Sequence, residues 1–255
     1  MYRHQKMVLF YILPLAAVFI SLATHANMLT SLLLFWGLPS LLLTIWLPSR
    51  ALKAALFASV ATVLQTGLNI IFYTTNQWYV VSMFDNRFLG FMAWEDIPYF
   101  FLFVYFPIMF WEYFYDKQTH EHTWTKRMTR LASVFIFVAL AVTAAWAWVP
   151  RIIQIPYFYL LVTIVLVLIP LSLESILRPR LGLKFVRVGL YFAFVAILYE
   201  LTAIYLGQWY FPSDTFIGWV HIIGLKFPIE EFLTWIVFGA AAILTWYEYF
   251  DDDNR

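Results

Sequence analysis

Between Lys6 and Arg50 the chain carries no Asp, Glu, Lys or Arg. A soluble fold cannot keep so long a stretch free of charge, whereas a bilayer demands it. A spanning helix needs about 20 mostly apolar residues. The stretch therefore holds two spans, divided at Thr24-His25-Ala26-Asn27. Further apolar segments follow, and the spans are predicted at roughly 7–24, 28–48, 53–75, 95–115, 131–150, 153–173, 185–206 and 228–248. Only 12% of the 255 residues are charged and 63% are hydrophobic, against roughly 25% charged in soluble domains. The expected fold class is an all-α integral membrane protein of about eight transmembrane helices. Arg3 and Lys6 before the first apolar run resemble the start of a signal peptide. No clear small-x-small cleavage pattern follows it, so the segment is read as a retained span.

The net charge of +1 gives no reason to expect a nucleic-acid partner. The absence of cysteine excludes disulfides, cysteine-based zinc sites and a thiol nucleophile. No Gly-x-Gly occurs, so a dinucleotide fingerprint is missing too. No cofactor and no metal are expected, and membrane lipid is the evident surrounding. Assembly into oligomers is left open.

Basic residues orient the spans, because they collect on the cytoplasmic side. With eight spans, one side holds both termini with Arg3, Lys6, Arg50, Lys53, Lys117, Lys126, Arg127, Arg130, Arg178, Arg180, Lys184, Arg187 and Arg255. The other side keeps Arg87, Arg151 and Lys226. The expectation is a multi-pass protein of the cell membrane with both termini in the cytoplasm.

The two halves, 1–130 and 131–255, repeat one another at an offset of 131. Pro39 matches Pro170, Pro48 matches Pro179, and Leu52-Lys53 matches Leu183-Lys184. Gln77-Trp78-Tyr79 matches Gln208-Trp209-Tyr210. The offset then drifts while the order holds. Leu89-Gly90 answers Ile217-Gly218, Glu95-Asp96 answers Glu230-Glu231, and Trp111-Glu112 answers Trp246-Tyr247-Glu248. Interfacial preference for Trp and Tyr is the plain alternative to a repeat. Each half is read as a four-helix membrane unit. Four spans return the chain to its starting side, so the halves run parallel about a pseudo-two-fold axis along the membrane normal. Both acidic pairs then lie on the non-cytoplasmic side.

An intramembrane acid is a candidate functional group. Glu200 sits about two helical turns inside the seventh span, and otherwise would be a structural acid paired to a neighbouring helix. Pro228-Ile229-Glu230-Glu231 reads as a helix start, with proline at the first position and acids at the positive end. Capping alone explains one acid better than two. The adjacent acids project about 100° apart, so at most one points into a given pocket. Trp235 lies one turn beyond Glu231, and Phe100 one turn beyond Asp96. Acid beside aromatic, twice, suits the handling of positive charge against apolar surface. His221 and Lys226 read as rim residues, His120 and His122 as part of a solvated basic loop. Glu112 and Glu248 mark the cytoplasmic interface.

The ordered set Glu200-x8-Trp209-x-Phe211, Ile217-Gly218 and Pro228-Ile229-Glu230-Glu231-Phe232 resembles the lycopene cyclase domain of bacterial heterodimer-type cyclases, their fused archaeal relatives and the fungal bifunctional enzymes. With the repeat, the likeness covers spans two to four and six to eight. Glu200 stands where that family usually has Asp. In the first half Asn69 replaces the acid nine residues before Trp78, and Ala93-Trp94-Glu95-Asp96 lacks the proline. Whether the first half catalyses or supports the second is left open by these departures.

The resemblance implies an enzyme of carotenoid biosynthesis, an isomerase of the lycopene beta-cyclase type. An acid protonates the terminal double bond of a long linear carotene. An internal double bond attacks the tertiary cation and closes a six-membered ring, and a base removes a ring proton. The candidate catalytic residues are Glu230, Glu231, Glu200, Glu95 and Asp96. Aromatic faces attract cations, so Trp78, Trp209, Phe232, Trp235 and Phe100 are candidate substrate-binding residues, with Asn69 added as the residue at the replaced acid position. Two other classes fit the same features. A proton-coupled transporter would use membrane carboxylates and parallel repeats, and broken helices would favour it. A non-catalytic carotenoid-binding subunit would suit the incomplete first half.

Overall fold

A computed structural model describes the backbone of residues 3–116 and 123–251, with side chains as far as residue 249. His120 and His122 lie outside the described residues. The chain is an all-α, multi-pass membrane protein. Seven helices are long and apolar enough to cross a bilayer, or eight if one bent pair counts as a span. They are α1 (Arg3–Thr24), α2 (Met28–Trp46), α3 (Pro48–Thr74), α4 (Asp96–Phe114), α5 (Lys126–Trp148), α6 (Phe158–Leu177) and α7 (Pro179–Tyr205). The bent pair, α8, joins Ile229–Val237 to Gly239–Tyr249 at 52°.

Four helices start earlier than the charges suggested, the first of them α1 at Arg3. Pro48 opens α3 and Pro179 opens α7, because proline suits the first helical turn. Thr125 caps α5 by accepting from the Met128 amide at 3.2 Å. Arg50, Lys53, Arg127, Arg130, Lys184 and Arg187 therefore lie inside helices; Lys53 is buried with its Nζ 5.8 Å from the Tyr247 ring, and the exposed ones can carry their charge back towards water. The sixth span starts later than expected. Pro150–Ile153 forms a 3-10 turn, and Tyr157 has a left-handed backbone (φ 55) just before α6 begins.

Prolines shape the helix interiors, since each leaves the carbonyl four residues back without its amide partner. Pro14 frees the Phe10 carbonyl, which accepts from the Tyr191 hydroxyl at 3.1 Å. Pro170 frees the Leu166 carbonyl, which accepts from Trp246 Nε1 at 2.8 Å. A π-helical segment precedes the matched proline in both halves, Leu33–Gly37 before Pro39 and Thr163–Leu168 before Pro170. A third, Phe232–Val237, precedes the bend of α8. At that bend Gly239 is required by close approach. A Cβ there would sit 2.7 Å from the Thr234 carbonyl and 2.9 Å from the Phe103 ring. Gly67 plays a similar part in the seam between α3 and α5, where a Cβ would meet Ala139 at 2.6 Å.

Short strands close one end of the bundle. β1 (Tyr79–Val80) pairs antiparallel with β2 (Trp209–Tyr210), with Tyr79 opposite Tyr210. β3 (Trp219–Ile222) and β4 (Leu225–Pro228) form a hairpin turning at Ile223-Gly224. The halves interlock here. Gln77 accepts from the Tyr159 amide of α6 at 2.8 Å. Gln208 donates to the Ala26 carbonyl at 2.7 Å and to Ser31 Oγ of α2 at 2.8 Å.

The opposite end carries a second buried polar cluster. Trp111 donates to Glu248 at 2.6 Å and Tyr247 donates to Glu112 at 2.5 Å. Arg50 lies 3.6 Å from Glu112. Glu112 and Glu248 are buried between helix ends.

Candidate functional site

Glu231 is the second residue after the Pro228-Ile229 helix start, and it is fully buried. It accepts a short hydrogen bond from the Tyr159 hydroxyl. Its carboxyl neighbours that of Glu200, which comes from α7. Trp209 Nε1 donates to Glu200 at 3.2 Å. A carboxyl pair so placed, flanked by a phenol on one side and an indole on the other, can hold and pass a proton.

Asp96 opens α4 as Glu231 opens α8. One of its oxygens accepts from Asn69 Nδ2 and from the Tyr73 hydroxyl, both at 2.9 Å. Asn69 also reaches Met92 Sδ at 3.0 Å, and the Trp78 indole lies beside the carboxyl. Asn69 therefore stands to Asp96 as Glu200 stands to Glu231, with an amide in place of the acid.

The neighbouring acids face elsewhere. Glu230 accepts from the Ile217 amide at 2.8 Å, and Glu95 accepts from the Met83 amide at 2.6 Å and from Ser82 Oγ. Each ties the loop before its helix to the helix start. Adjacent side chains on a helix point about 100° apart, which divides each acidic pair into one anchor and one inward carboxyl.

Aromatic rings fill the space between the two acid groups. Trp78 stacks on Trp209 with centroids 5.5 Å apart, Tyr79 lies 4.9 Å from Tyr210, and Phe100 stacks on Trp235 at 6.3 Å. Each of these is a residue meeting its own counterpart in the repeat. Tyr99 touches Trp78, Trp209 and Trp235 and lies within electrostatic reach of Asp96, Glu200 and Glu231.

Below this wall lies an apolar cavity of about 110 Å³, lined from α3, α4, α5, α6 and α8. Gln65, Phe100 and Trp235 line both it and a narrower gap that continues to Asn69, Trp78, Tyr99 and Tyr159. Of the candidate binding residues, Trp78, Trp235, Phe100 and Asn69 line this path. Trp209 stands behind Trp78. Phe232 does not line it and packs towards Phe227 of β4. His221 and Lys226 belong to the β3–β4 hairpin, with Lys226 Nζ 4.7 Å from the Trp219 ring.

Tyr159, Tyr73 and Tyr99 escaped the sequence reading. Each lies in an apolar helix where a tyrosine has no distinguishing neighbours. Tyr159 is the second residue of α6, four residues before its π-segment, and nothing local marks its hydroxyl as buried. Among the described residues no group of three or more His, Asp or Glu is arranged to hold a metal. Comparison with family models, with curated proteins and with solved structures gives no match to this chain.

Proposed function

We propose that the chain is a membrane-embedded cyclase of a long linear carotene, forming ionone-type rings by acid-catalysed isomerisation. The observation that carries this reading is the buried Glu200–Glu231 pair beside an aromatic wall at the end of an apolar path. A hydrocarbon substrate needs such a path. Protonating a carbon–carbon double bond needs a buried acid with no competing nucleophile. The cation that forms needs faces that attract positive charge without bonding to it. The proton leaves Glu231 for the terminal alkene carbon, the internal double bond closes the ring, and a carboxylate of the same cluster takes a ring proton. Atoms balance without a redox partner. Glu231 is assigned the donor role, with Glu200 as the group that shares and replaces its proton, and Tyr159 holds Glu231 in place. Asp96 is the second candidate base, across Tyr99.

Eight spans in two parallel halves, 1–130 and 131–255, with both termini cytoplasmic, complete the proposal. The meeting of Trp78 with Trp209, Tyr79 with Tyr210 and Phe100 with Trp235 supports a pseudo-two-fold axis running through these contacts. The test is expression in a bacterium that accumulates lycopene, with the pigments separated and identified. Ring-bearing products that vanish with Glu231→Gln support the reading, and an unchanged pigment profile with the wild-type chain in the membrane refutes it.

One observation favours proton-coupled transport as a second reading, namely the π-helical breaks in α2, α6 and α8. In transporters, unwound backbone lines a polar route. Here the Leu166 carbonyl freed in α6 is taken by Trp246, and the adjoining cavity is apolar in its lining. Cyclisation fits better.

A further inference from the structure

The repeat would allow two apolar channels, one on each side of the axis. The lining of the open cavity can be traced to its counterparts. At the offset of 131, Ala61 matches Phe192, Leu166 matches Phe35 and Val167 matches Trp36. In the register that matches Glu95 with Glu230, Phe103 and Val104 match Phe238 and Gly239, and Pro107 matches Ala242. At Ala61, Leu166 and Val167 the open side is therefore the slimmer of the two. Their counterparts Phe192, Phe35 and Trp36 carry bulk, whereas Phe57, Leu64 and Gln65 on the open side match the smaller Val188, Val195 and Ala196. Trp36 packs on Phe192 at 6.2 Å, on Phe106 at 6.0 Å and on Phe103 at 4.9 Å, and Phe106 meets Phe192 at 4.8 Å. Phe35 lies 5.1 Å from Tyr199. Phe10 of α1, standing where α5 stands on the open side, adds a further ring 5.9 Å from Phe106. Trp36, Phe35, Phe192 and Phe10 are all buried.

We infer that, of the two symmetry-related channels, one is open and the other is plugged by Phe35, Trp36 and Phe192, and that a linear polyene is accepted one end at a time. The choice of polyene rests on the cyclase reading. The single channel does not. The open path is blind, because the Trp78–Trp209 stack and Tyr99 close it at the acids. A substrate with two ends must then withdraw before its second end can enter.

The plugged side supplies its own test, since its residues can be copied into the open side. Purified protein in detergent is titrated with lycopene, and bound pigment per chain is measured after free micelles are removed. Wild type is expected to bind one polyene per chain. Ala61→Phe and Leu166→Phe should each bind at least ten-fold more weakly while remaining monodisperse. If Ala61→Phe is not recovered folded, Leu166→Phe carries the comparison, because it adds less bulk. Two polyenes per chain, none bound to wild type, or undiminished binding in the folded variants would overturn the inference. Ring formation is scored separately in the same samples. Binding that is lost on plugging, with no ring ever formed by wild type, would refute the cyclase and leave the single channel standing.

Discussion

At the residue scale, each acidic pair divides its labour. Glu231 and Asp96 face inward, while Glu230 and Glu95 fasten loops. Under the cyclase proposal, Glu231→Gln is expected to lower turnover by roughly 10²–10⁴-fold, the usual contribution of a general acid. Pigment analysis against quantified membrane protein checks this. Glu230→Gln should behave differently. It weakens a charge-assisted bond to the Ile217 amide, worth about 1.5–3 kcal/mol. It should lower the unfolding temperature while keeping most of the turnover per folded molecule. Equal losses of turnover in the two variants would contradict the division. The adjacency of the acids made a split foreseeable from sequence. Which acid faces inward was not, because it depends on how the preceding loop meets the helix. Tyr159 was invisible for a related reason. Its partner Glu231 lies far along the chain, and nothing local marks a tyrosine whose hydroxyl will find a carboxyl.

At the element scale, Pro14 and Pro170 each remove an amide, and a side chain from another helix takes the freed carbonyl. Trp246→Phe should leave the Leu166 carbonyl buried without its indole donor, at a cost of about 1–3 kcal/mol. Pro170→Ala restores an amide that can return to that carbonyl. The double variant is therefore expected to recover part of the stability lost in Trp246→Phe, read as a non-additive shift in thermal unfolding in detergent. Strict additivity would show that the indole bond does not substitute for the missing amide. The matched prolines Pro39 and Pro170 were plain in the sequence. The π-segments before them were not; at Pro170 the freed Leu166 carbonyl is taken by Trp246, which lies 80 residues along the chain. The early starts of α1, α3, α5 and α7 were missed because charge was read as marking the membrane boundary. The basic side chains instead extend from helical backbone.

At the scale of the whole molecule, apolar runs were enough to expose the spans, since few other structures tolerate so little charge. The path between helices was not legible. It depends on Gly239, Ala242 and Ala61 lining one cavity from different helices, and no periodicity reports that. The proposed orientation predicts that reporter domains active only in the cytoplasm will work when fused at either terminus. Reporters active only outside will work when inserted in the β3–β4 turn. The reverse pattern would invert the protein in its membrane and place the acids on the cytoplasmic side. The proposed chemistry also predicts the origin of the proton. In purified membranes, in deuterated water and without added nucleotide or metal, each new ring should gain one deuterium at the carbon protonated first. Mass spectrometry of the product checks this, and unlabelled rings after full exchange of the acids would refute protonation by an exchangeable carboxyl.

The β1–β2 ladder sets Tyr79 against its own counterpart, Tyr210. An antiparallel joint in which a residue faces its own copy is self-complementary, so two separate copies of one four-helix chain could form it as readily as two halves of one chain do. Such an ancestor would have carried two equal channels and two equal acid sites. Fusing such copies would end the obligation to match. One copy could then keep Asn69 where the other keeps Glu200, and fill its share of the interior with rings, without both sites changing at once.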